Sequence, residues 1–165
     1  MVQIFGGQGC PGANRKGGPT NRDVEQAAND CGIAGFLVNC LPFTDPAGFN
    51  PHIGKHHSVQ ESLMAHHEFK AVLKGVKDHV QQAADGGKTT TAIAFWCRSG
   101  KHRSVAFADI VEHILVELGW CVTRVDYMTW YWGVTKCKMC PICSGEKTPK
   151  GQAVLNDACE IYRSL

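Results

Sequence analysis

The run Cys97-Arg98-Ser99-Gly100-Lys101-His102-Arg103-Ser104 places a thiol, a glycine and three cations within eight residues. An apolar segment stops at the cysteine and an amphipathic one begins after it. A strand-to-helix loop presents unpaired backbone N–H groups and the positive end of a helix dipole, so its expected guest is an anion. Gly100 lets the backbone turn with amides pointing inward, while Arg98, Lys101 and Arg103 offer cationic side chains. Arg103, at the helix start, is the first choice for two parallel hydrogen bonds to a phosphate. The competing reading is a solvated turn whose cations do nothing measurable.

A second cluster lies near the C-terminus. Cys137, Cys140 and Cys143 form two overlapping C-x-x-C units, and the C-P-x-C followed by Gly145 is a knuckle that turns two thiolates onto one metal. Structural zinc needs a fourth ligand. Cys159 is nearest in sequence, Cys121 is a second candidate, and a histidine from elsewhere is a third. An iron–sulfur cluster would use the same thiolates, and three free thiols in a tail are the bland alternative. Of the eight histidines, His52, His56, His57, His66 and His67 read as surface or capping residues. His56 or His57 could face the anion loop, and His102 lies inside it. Cys10, Cys31 and Cys40 read as small buried residues.

Alternating strands and helices must position these groups. VQIF (2–5) is a strand leading into a glycine-rich loop, and 20–31 is a short helix closed by Gly32. GFLVNCL (35–41) is a second strand. From Ser58 to Ala84, Leu63, Phe69, Val72, Leu73, Val76 and Val80 mark one helical face, with Ser58 and Glu61 as a capping box. TTAIAFW (90–96) is a central strand, 104–118 a helix stopped by Gly119, CVTRVDYM (121–128) a fourth strand, and 152–163 a final helix. The predicted fold class is α/β, a mainly parallel sheet of four to five strands with helices on both faces and a Cys-rich C-terminal extension. In such sheets ligands sit outside the carboxyl ends of the strands, where the CRSGKHRS loop falls.

At 165 residues the chain fits a single domain, with a glycine-rich strand and loop over 1–19 and a Cys-rich tail over 129–165 packed on it. Seventeen basic against fifteen acidic residues give a net charge of +2, no general case for binding nucleic acid or a membrane surface. Neither a secretory leader nor a spanning segment is readable. Nine cysteines, an odd number spread through strand-like and helix-like segments, favour reduced thiols and a cytoplasmic location.

Two families share the loop. The spacing Cys97-x-x-Gly100-x-x-Arg103-Ser104 resembles the signature loop of protein tyrosine phosphatases. That likeness implies Cys97 as nucleophile, Arg103 as phosphate clamp and Ser104 as donor in the leaving step, with Asp45 or Asp85 as general acid. The wider order "CLPFTDP…G" (40–54), a helix, then "TTAIAFWCRSGKHRSVAFADIVEHI" resembles the C-terminal domain of the RNase adapter RapZ. Cys97, Gly100, Lys101, His102, Arg103, Ser104 and Val105 match that family's hallmark run, and Asp45-Pro46 its upstream Asp-Pro pair. The resemblance covers roughly 33–128. It implies a binding domain for a phosphorylated amino sugar, with 99–104 holding the phosphate, Asp45 nearby, and contact to small regulatory RNA. Trp130, Tyr131 and Trp132 beside Lys136 and Lys138 are the candidates for stacking RNA bases. "GGQGCPGANRKGG" does not match a Walker loop, so ATP hydrolysis is not expected.

Overall fold

The computed structural model describes residues 1–8, 35–45, 51–98, 100–128, 137 and 140–165. Four strands, β1 (Val2–Gln8), β2 (Phe36–Asn39), β3 (Thr91–Cys97) and β4 (Val122–Met128), form one sheet in the order β2-β3-β1-β4. Every neighbouring pair is parallel, with Gln8 opposite Cys97 and Asn39 opposite Trp96 at the carboxyl end. β3 is therefore internal. Ile93, Phe95 and Cys97 alternate into the main core, and Ala92, Ala94 and Trp96 on its other face are buried too. Burial on both faces is why this segment reads as a continuous apolar run.

The helices are α1 (His57–Met64), α2 (Phe69–Asp85), α3 (Arg103–Glu117) and α4 (Pro149–Arg163). The crossovers from β2 to β3 and from β3 to β4 run the same way along the sheet, so right-handed connections put α2 and α3 on one face. There the Phe107 ring stacks at 5.4 Å on Phe95 and 5.7 Å on Phe69, with the edge of Phe43 at 4.9 Å. Burial of each such ring contributes about 1.5–3 kcal/mol. The connection from β1 to β2 runs the opposite way, and the helix expected at 20–31 belongs to it. That helix, the glycine-rich loop, Cys10 and Cys31 lie outside the described residues.

Two helix expectations need correction. The single helix over 58–84 is two, broken at 65–68. The break is local: His66 Nδ1 accepts from the Glu68 amide at 3.3 Å, and the His66 ring packs on Phe43 at 4.5 Å. A side chain that satisfies a backbone donor competes with the helical ladder. The adjacent His66 and His67 rings lie 4.4 Å apart at this corner. The second correction concerns the cap. His56, not Ser58, precedes the first helical residue, and its Nδ1 accepts from the Ser58 amide at 3.2 Å. α4 starts three residues earlier than its apolar pattern suggests, because Thr148 Oγ1 accepts from the Gly151 amide and Pro149 fits the first turn. Among the described residues no helix is long and apolar enough to cross a membrane.

Candidate functional site

β3 delivers Cys97 to the carboxyl edge of the sheet, and α3 begins at Arg103 after the loop 98–102. Gly100 makes the turn between them with φ 60°, a left-handed conformation that side chains with a Cβ rarely adopt, and it is buried. Among the described residues no side chain caps the first turn of α3, and by helix geometry the first amides of such a turn face the preceding loop. Cys97 and Ser104 are 1% and 0% exposed, with Sγ 3.1 Å from Oγ. Arg98 is exposed and Lys101 half-buried; Ser99 lies outside the described residues.

Arg103 is placed differently from a free clamp. Its side chain is 7% exposed, one terminal nitrogen donates to the Leu41 and Phe43 carbonyls at 3.1 and 2.8 Å, and the other donates to Asp45 Oδ2 at 3.0 Å. The guanidinium thus ties the segment after β2 to the start of α3. His102 is buried beside it, with Nδ1 3.3 Å from Asp45 Oδ1 but outside hydrogen-bond geometry, while its Nε2 and the Arg103 Nε have no partner among the described residues. Burial lowers the His102 pKa, Lys101 adds to that, and Asp45 opposes it. Cys40, the residue after β2, is fully buried; burial raises its thiol pKa well above the ordinary value, and Cys97 acts in the same direction. Asp45 is thus brought to the loop. Asp85 is not: it ends α2 before the opposite end of β3, a strand whose six steps span about 20 Å.

The segment 51–56 closes over this loop. Gly54 N donates to the Lys101 carbonyl at 3.0 Å, and a Cβ on Gly54 would lie 2.3 Å from the His102 carbonyl oxygen and 2.4 Å from the Ala106 nitrogen. Only glycine permits that approach. His56 and His57 are in this region, and burial, then His52 and His57, bring the His56 pKa down to about 4.

The same segment carries His52, which the sequence reads as a surface or capping residue and which instead meets the cysteine cluster. His52, Cys137, Cys140 and Cys143 have ligand atoms all within 4.8 Å of one another, a group able to hold a metal ion. His52 Nδ1 is 3.6 Å from Cys137 Sγ and 3.5 Å from Cys143 Sγ. Cys159 is not in this group; it faces the core from α4, and Cys121 is exposed before β4. At a sequence separation of 85 between His52 and Cys137, no spacing rule could pair them. The knuckle forms as its sequence suggests: a 3-10 turn over Ile142–Ser144, closed by Gly145 with the Glu146 amide donating to the Pro141 carbonyl at 3.0 Å. Burial pushes the Cys143 thiol up, a backbone hydrogen bond with Ile53 opposes that, and Cys140 and Cys137 reinforce it. A metal cation would reverse this balance and deprotonate the thiols. Trp130, Tyr131, Trp132, Lys136 and Lys138 lie outside the described residues.

Among curated relatives, a nucleotide-binding protein of Cereibacter sphaeroides strain ATCC 17025 is 31% identical over 75 residues, and two from other strains of that species are 29% identical over the same length. Each match covers 43% of this chain and 25% of the relative, so the likeness concerns a quarter of those proteins. Residues 30–127, which contain β2, β3, α3, the 97–104 loop and His52, match the family described as the RapZ C-terminal domain, and the chain belongs to that family.

Proposed function

We propose that the chain is a receptor for a phosphate-bearing small molecule, a nucleotide or a sugar phosphate, bound at the 97–104 loop. The observation that carries the reading is the buried, left-handed Gly100 leading into the uncapped start of a 15-residue helix, at the carboxyl edge of a parallel sheet. Amides of the first turn of α3 hold the phosphate oxygens, and Lys101 with Arg98 supplies positive charge. Arg103 acts by fixing Asp45 and the 41–45 segment beside the ligand, and His102 completes that wall. That the relatives are named nucleotide-binding proteins supports a phosphorylated ligand.

The cysteine cluster holds zinc in a structural role. Zinc bonds of about 2.0–2.1 Å to nitrogen and about 2.3 Å to sulfur at tetrahedral angles separate the two ligand atoms by about 3.5 Å. The His52 distances to Cys137 and Cys143 fit that separation.

One observation favours a second reading. The 3.1 Å contact between Cys97 Sγ and Ser104 Oγ is the arrangement a cysteine phosphatase needs to stabilise a thiolate. Hydrolysis of an aryl phosphate by wild type and Cys97→Ser, beside a thermal-shift screen of sugar phosphates and nucleotides, separates the two. A receptor shows no turnover and is stabilised by a phosphorylated ligand. Turnover abolished by Cys97→Ser would replace the receptor with a phosphatase.

A further inference from the structure

The metal cluster and the anion loop are joined by three residues. His52 belongs to the cluster. Ile53, 2% exposed, makes a backbone hydrogen bond with Cys143. Gly54 donates to the Lys101 carbonyl and lies directly against the His102 and Ala106 backbone. The α-carbons of His52 and Gly54 can be no more than about 7 Å apart, so a displaced metal ligand displaces the contact with the loop. The Lys101 carbonyl belongs to the peptide unit that also carries the His102 amide. Gly54 therefore sets which way that amide points at the entrance to α3.

From this we infer that a zinc ion held by His52, Cys137, Cys140 and Cys143 is the clasp that keeps the anion loop in its binding conformation, making ligand binding conditional on metal occupancy. Binding of the ion replaces the thiol protons, which pass to solvent, and pulls His52 toward the knuckle. The strap 52–54 is then taut and the Lys101–His102 peptide is fixed. Without the ion, His52 is released, the Gly54 to Lys101 hydrogen bond becomes a solvent-competed contact, and the loop loses its preorganisation. The conclusion about ligand affinity rests on the receptor reading above; the conclusion about loop order does not.

The test uses the full chain, zinc-loaded, then stripped by a chelator under reducing conditions, then reloaded. Zinc content, hydrogen exchange of peptides covering 98–106, and binding of inorganic phosphate are measured in each state, with exchange of 92–95 in β3 as the reference for global unfolding. One zinc per chain is expected, and its removal should speed exchange of 98–106 by about tenfold or more while 92–95 stays protected. Phosphate affinity should fall by about tenfold and return on reloading. His52→Ala should behave as the stripped protein does. A chain that retains no zinc, or a loop whose exchange and affinity ignore its removal, would overturn the inference. So would equal opening of 92–95 and 98–106, which would make the metal a staple of the whole fold. If exchange responds to zinc but the loaded protein fails to bind phosphate, the clasp stands and the receptor reading fails.

Discussion

At the residue scale, Arg103 sits at the junction of two demands. The Leu41 and Phe43 carbonyls lie beyond the end of β2, and a planar guanidinium reaches both while keeping its second terminal nitrogen for Asp45. Asp45 is 39% exposed, so solvent screens that pair and the two carbonyl bonds dominate the stabilisation. Arg103→Ala should lower stability by about 3 kcal/mol and Tm by roughly 10 °C. Arg103→Lys keeps the charge but not the fork, and should recover less than half of the loss in a denaturant titration. His102 gives a pH dependence of known sign. Its pKa is depressed, so as pH falls below about 6.5 the unfolded chain takes up the proton first, and stability present above that pH is lost below it. Unfolding free energies measured from about pH 8 to about pH 5 should show this acid-side loss reduced in His102→Gln. The sequence marked both residues as functional by their place in the loop. It could not show that carbonyls some 60 residues away need a donor, because that need arises only once β2 lies beside β3.

At the scale of elements, strands and helix faces were legible and their joints were not. TTAIAFW reads as a central strand because alternate residues are apolar on both faces, and the stripe Leu73, Val76, Val80 reads as a buried helix face, as it is. The corner at 65–68 leaves that stripe unbroken, since Leu63 and Phe69 are both core residues on either side of it. Only the His66 side-chain bond and the Phe43 ring reveal the break, and neither has a period. Gly54 enters the sequence reading only as the glycine that closes the 40–54 order, with no local sign that it lies against the backbone of His102 and Ala106. Gly54→Ala should therefore cost about 3 kcal/mol, because the added methyl meets backbone atoms that cannot rotate away. Thermal unfolding of this variant beside Gly87→Ala makes the contrast useful. Gly87 has open space around it but φ 66°, so its penalty is conformational alone, about 1 kcal/mol. A Gly54→Ala protein as stable as wild type would mean that the strap does not seat on α3.

On the scale of the whole molecule, the alternation of strands and helices gives a parallel α/β sheet, but the order β2-β3-β1-β4 depends on pairings between distant segments that no local pattern encodes. The tail is the further case. Its described residues meet the rest of the chain through two attachments of different chemistry: the cysteine group at His52, and α4 against α1, α2 and α3. The second attachment is apolar. Val154, Ala158, Cys159 and Tyr162 are buried, and Lys77 of α2 lies 5.4 Å from the centre of the Tyr162 ring while donating to the Tyr162 carbonyl at 3.3 Å. Burial raises the Tyr162 pKa to about 12, as expected for a phenol held among apolar groups. Because the attachments differ in kind, they should fail separately. Tyr162→Ala should lose about 3–4 kcal/mol by leaving a cavity between α2 and α4, yet leave the zinc content of the proposed site as in the wild type. Cys143→Ser should lose zinc while retaining the packing of α4, read as unchanged protection of the 154–162 amides from hydrogen exchange. If Tyr162→Ala instead releases the metal, the cysteine group is positioned by α4 rather than by the 51–56 segment, and the tail is a single cooperative unit.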